Sequence, residues 1–135
     1  MNNIRALIHE HVNNSILNNQ FNDEFSFDIP KETVRRVLGI LHLDMTGYVC
    51  IIKSHDVRHV KKRHPSEVKY ICEIPEILEN FNKVKKSIIK DNKTGASLIN
   101  LEFYKKFGND NIKLVKLKIH IKKRLELKTI FVRDE

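Results

Sequence analysis

A chain of 135 residues fits one domain that buries roughly two-thirds of the surface its unfolded form exposes, so no disulfide framework is needed to hold it together. Twenty-five Lys and Arg against seventeen Asp and Glu give a formal charge of +8 before any of the seven histidines takes a proton, a balance suited to a polyanionic partner. No continuous apolar stretch follows Met1 and no run of about eighteen apolar residues occurs, so neither a membrane span nor Sec export is expected.

Ile4, Leu7, Ile8, His11, Val12, Ser15 and Ile16 recur at helical spacing and predict an amphipathic helix over 3–18, followed by an Asn/Asp/Phe connector. Pro30 at a first helical position and Gly39 just past the end bracket a second, short helix carrying Val34, Val37 and Leu38. Residues 48–52 form a β-branched run expected to be a buried strand. A helix over 56–64 is stopped by Pro65, and 67–80, interrupted by Pro75, reads as two helical pieces.

Four strands follow, over 84–89, 98–104, 113–121 and 125–132, separated by turn signals at 91–95, 108–111 and near Lys122-Lys123. In the third of them Val115, Leu117, Ile119 and Ile121 face one way while Lys116, Lys118, His120 and Lys122 face the other, a core face backed by a basic stripe. The predicted class is α+β, with N-terminal helices packed on one face of a roughly four-stranded antiparallel sheet. Residues 1–27 are an N-terminal helix and connector, 28–135 the main body, and the whole one compact domain.

The charge is uneven. Residues 1–50 hold four Lys/Arg and six Asp/Glu, whereas 51–135 hold twenty-one and eleven. The densest cluster is 54–65, where His55, Arg58, His59, Lys61, Lys62, Arg63 and His64 precede Pro65. His55, His59, Lys62 and Arg63 share one helical face, with Val57 and Val60 nearly opposite. Cleaving RNA without metal requires a base for the 2′-hydroxyl, an acid for the leaving 5′-oxygen and cations for the phosphorus oxygens, and His, Lys and Arg supply all three near neutral pH.

The same cluster equally fits a solvated basic helix ending in a histidine favoured by the helix dipole. A zinc site on the His55–His59 pair is weaker, because it lacks a third ligand and the glutamate of HExxH. No phosphate-binding glycine loop, nucleophile elbow or paired-carboxylate motif is present. Cys50 and Cys72, in apolar contexts without CxxC spacing, read as buried free thiols and imply a reducing compartment.

Residues 28–90 combine Ile29-Pro30, Leu38-Gly39, an apolar strand ending Ile52-Lys53-Ser54, the core His59-Val60-Lys61-Lys62-Arg63-His64 and Glu73-Ile74-Pro75-Glu76-Ile77-Leu78. With the closing strand Leu127-Lys128-Thr129-Ile130-Phe131-Val132, this resembles the phage-associated members of the Barnase–EndoU–colicin–RelE-like nuclease superfamily. The resemblance implies His59 as the leading catalytic residue, Arg63 and His64 as further members of the helix motif, and Thr129 as a phosphate or substrate contact. Strict alternation would turn Thr129 toward the core with Leu127 and Phe131 unless a bulge intervenes. His59 and His64 stand about 140° apart on a regular helix and share a cleft only if the helix loosens at Pro65.

The expected activity is a toxin-like, metal-independent endoribonuclease needing no cofactor, with tRNA among the candidate substrates and a 2′,3′-cyclic phosphate as product. His55, Arg58, Lys62, Lys116, Lys118, His120, Lys122 and Lys128 are the expected substrate-binding residues. An acidic inhibitor protein is the expected partner, and the cytoplasm of a bacterium, or of a target cell, the expected location. Two other classes stay open: a non-catalytic nucleic-acid-binding or phage accessory protein keeping the fold, and an interaction protein that associates through its N-terminal helix.

Overall fold

The computed structural model describes the main chain of residues 2–90, 92–107, 111–120 and 123–134, and all their side chains except those of 2, 89, 107, 111–114, 116, 120, 133 and 134. The expected turns at Asp91, 108–110 and Lys122 lie outside the described residues. In chain order the elements are α1 (Asn2–Leu17), β1 (Glu24–Asp28), α2 (Lys31–Leu41), β2 (Val49–Lys53), α3 (Ser54–Arg63), a 3-10 turn (Val68–Glu73), α4 (Ile74–Glu79), β3 (Lys83–Lys90), β4 (Ser97–Phe107), β5 (Asn111–His120) and β6 (Arg124–Asp134).

The class is α+β, but the sheet has six strands in the order β1-β2-β6-β5-β4-β3 and is mixed, which corrects the four-stranded antiparallel expectation. The four C-terminal strands do form an antiparallel meander. Two further strands extend it: β2 pairs with β6 in parallel, Cys50 opposite Leu125, and β1 pairs antiparallel with β2, Phe27 opposite Cys50. β1 falls in what reads as connector, because only Phe25 and Phe27 alternate within its five residues. A parallel partner from the far end of the chain leaves no local signal.

Buried side chains of the helices and of one sheet face form a single cluster. From β2 come Cys50 and Ile52, from β4 Leu101 and Phe103, from β5 Val115 and Leu117, and from β6 Leu125, Leu127 and Ile130. Leu127 and Ile130 are three residues apart yet both buried, which simple alternation forbids. A bulge resolves this: Leu117 pairs with Leu127 but Lys116 with Thr129, so Lys128 is the extra residue and the faces exchange beyond it. Cys50 and Cys72 are both buried, and burial pushes the Cys50 thiol far above its ordinary range.

Gly39 is not the helix terminus the pattern suggested. α2 runs on to Leu41, which packs against the core, and His42 adopts the left-handed conformation (φ 55°) while its N–H donates to Leu38 O at 2.9 Å. α1 packs on α3 and the 3-10 turn with Ile8 and Val12 buried, and its His11 Nε2–H donates to Ile52 O at 2.8 Å.

Candidate active site

β2 hands directly into α3 at Ser54, so the first turn of the histidine helix is fixed by a strand at the centre of one half of the sheet. Ser54 is buried: its N–H donates to Asp23 O at 3.0 Å, and its Oγ lies 2.9 Å from Ser15 Oγ. Val57 and Val60, both fully buried, anchor one side of the helix, and burying a valine contributes about 1.5–3 kcal/mol. The opposite side carries His55, Asp56 and His59 into an open cleft of about 280 Å³, completed by Leu98, Asn100, Lys118, Glu126, Leu127 and Lys128.

The floor of that cleft is one row of the sheet. Asn100, Lys118 and Glu126 are direct cross-strand neighbours on β4, β5 and β6, so their side chains share a face. Glu126, little exposed, is held between two cations: its Oε1 lies 3.0 Å from Lys53 Nζ and its Oε2 3.4 Å from Arg124 Nε. Arg124 also reaches Glu24 Oε1 at 2.9 Å, tying β6 across β2 to the edge strand. Burial raises the Asp56 carboxyl above its ordinary value and Glu126 adds to the rise, while His55, Lys53 and His59 oppose it.

Among the residues singled out in the sequence, the cleft gathers His55, His59, Lys118 and Lys128. It does not gather the rest. Arg63 and Lys62 are exposed near the end of α3 and are absent from the cleft lining. His64 stacks on Phe131 with ring centroids 5.5 Å apart, because α3 ends at Arg63 and the backbone turns before Pro65. Arg58 turns the other way: it donates to Ser15 O at 2.9 Å, Phe21 O at 3.0 Å and Asn22 Oδ1 at 2.7 Å, pinning the α1–β1 connector. Thr129, half-buried, leaves the Leu127 face through the bulge and pairs with Lys116, outside the lining. Lys122 and the side chains of Lys116 and His120 lie outside the described residues.

Three polar cleft residues escaped the sequence reading: Asp56, Asn100 and Glu126. Each had a local signal. Asn100 interrupts the apolar run Leu98-Ile99-Asn100-Leu101, Glu126 stands between Leu125 and Leu127 in a basic strand, and Asp56 sits between the two cleft histidines. Among the described residues no group of three His, Cys, Asp or Glu side chains is placed to hold a metal ion, and no helix is long and apolar enough to cross a membrane.

Imidazoles, carboxylates and lysines thus converge where α3 meets one face of the mixed sheet. Residues 28–135 match the family described as phage-Barnase-EndoU-ColicinE5/D-RelE like nuclease3, and the chain belongs to that nuclease family. The match starts at the last residue of β1 and leaves α1 outside. Neither the curated proteins nor the solved structures contain a match.

Proposed function

We propose that this nuclease is a metal-independent endoribonuclease that cleaves RNA, tRNA being one candidate, by transesterification to a 2′,3′-cyclic phosphate. The observation that carries the reading is the convergence of His55 and His59 from one helical face with Lys118 and Lys128 from the sheet. Two imidazoles four residues apart on a helix are neighbours, at the scale of a single phosphodiester. One takes the 2′-hydroxyl proton as the oxygen attacks phosphorus; the other returns a proton to the departing 5′-oxygen. His59, deeper in the helix motif, is the residue whose loss costs most, and His55 replaces His64 as its partner.

Lys118 and Lys128 stabilise the charge that accumulates on the phosphorus oxygens. Asp56, between the imidazoles in sequence, lines the same cleft. A toxin-like role with an acidic inhibitor is consistent with a charge of +8, since such a surface speeds capture by a negatively charged protein. The test is incubation of the purified protein with total RNA and tRNA in EDTA, with analysis of product ends. Cleavage that survives chelation and leaves cyclic phosphate is expected. Intact RNA that is nonetheless bound with strong salt dependence would instead select a non-catalytic nucleic-acid-binding role.

A further inference from the structure

Asn100 lies in the middle of β4 and is 1% exposed. Neither its amide nitrogen nor its amide oxygen has a hydrogen-bond partner among the described residues. It occupies the row formed by Ser87, Asn100, Lys118 and Glu126 across four strands, and it lines the cleft that holds His55 and His59. An unpaired buried amide is a standing cost to the fold. A leucine of similar size would remove that cost and continue the apolar run of the strand, so the position holds a polar group that none of the described residues uses.

The chemistry of the missing partner follows from what the amide lacks. Its N–H2 needs an acceptor and its carbonyl oxygen needs a donor, side by side. A phosphate or carboxylate only accepts and would leave the oxygen unpaired; an ammonium only donates and would leave the nitrogen unpaired. The edge of a nucleobase carries adjacent donor and acceptor atoms, the arrangement by which Asn pairs with adenine, and unpaired RNA bases are read on such edges.

We propose that Asn100 is a specificity-determining residue that reads the edge of one nucleobase beside the phosphate held by Lys118. The inference rests on the ribonuclease reading above. Lys118 is the cross-strand neighbour of Asn100, and its flexible stem moves toward a bound phosphate and opens the amide to the base. The pairing makes cleavage base-selective and orients the ribose next to His55 and His59.

The experiment measures the affinity of the full chain for four 2′-O-methyl oligonucleotides, each containing only A, C, G or U. These keep bases and phosphates but have no free 2′-hydroxyl to attack. Wild type is expected to prefer one base by about tenfold or more, the scale of one bidentate base contact. Asn100→Leu and Asn100→Ser are expected to bind all four alike, and Asn100→Leu to melt at or above the wild-type temperature. Equal binding of the four by wild type, or a preference that persists in either folded variant, overturns the proposal. Cleavage of unmodified RNA by the same wild-type preparation separates the two readings: cleavage without base preference sinks this inference alone, whereas base preference without cleavage sinks the catalytic reading alone.

Discussion

Arg58 and His59 are consecutive residues of α3 that meet opposite surroundings. Arg58 spends its guanidinium on two main-chain carbonyls and an asparagine of the α1–β1 connector, while His59 faces a cleft floored by Asn100, Lys118 and Glu126. Both belong to one basic cluster in the sequence, yet one cation holds the chain together and the other ring opens on the cleft. Charge density therefore locates the right helix, and the direction each side chain leaves it decides which residues serve the site. Val57 and Val60 set that direction, because their burial fixes the rotation of the helix.

The sharpest way to break the contrast is to remove each residue in turn. His59→Ala is expected to lower RNA cleavage by about 10² to 10⁴, the worth of general acid–base catalysis, with a melting temperature close to wild type because the ring is exposed. A loss under tenfold removes His59 from the chemistry. Arg58→Ala is expected to do the reverse. Stranding the Ser15 and Phe21 carbonyls costs about 1–3 kcal/mol, a fall of several degrees in Tm, while the folded fraction keeps cleaving. An unchanged Tm with lost cleavage would return Arg58 to the substrate.

Helix existence and the strand meander were legible from periodicity: α3 and the four C-terminal strands lie within a few residues of the expected bounds. Periodicity assigns faces to an element but not neighbours to a strand, so the parallel β2–β6 pairing and the edge strand β1 were invisible. Of the cleft lining, His55, His59, Lys118 and Lys128 were singled out by residue type. Asn100 and Glu126 show locally only as single polar residues among apolar neighbours, a signal that gains meaning only when their cross-strand partners are known. The Lys128 bulge likewise decides which way Thr129 points, and nothing in the residues from Leu127 to Ile130 announces it.

Lys118 and Asn100 are neighbours across the sheet, and they are expected to fail differently. Lys118→Ala removes a phosphate contact, so affinity for single-stranded RNA should fall for every sequence alike and the salt slope of log K should flatten by about 0.7. A selective loss for one base would place Lys118, rather than Asn100, on a base edge. The comparison with His59 is quantitative: losing Lys118 weakens binding as well as kcat, because it holds the phosphate and its developing charge, whereas losing the acid–base residue lowers kcat and leaves affinity.

The smallest expected effect concerns Asp56, which shares the cleft side of α3 with His59. Burial raises its carboxyl above the ordinary value of 3.8, so the native chain holds that proton more tightly than the unfolded chain. Stability therefore falls as pH rises from the unfolded value, about 3.9, through the raised native value, and stays lower above it. Asp56→Asn removes the titration. Its Tm should match wild type below about pH 3.9 and exceed it at neutral pH, with the gap opening only across that window. The helix dipole acts against this result, because an acidic side chain in the first turn of α3 is favoured by about 0.3–1 kcal/mol. A wild type more stable than the variant at pH 7 would mean that the dipole and the cations outweigh burial, and that Asp56 is there to hold α3. A more stable variant that cleaves more slowly would mean the carboxylate is kept, against the interest of the fold, for the imidazoles beside it.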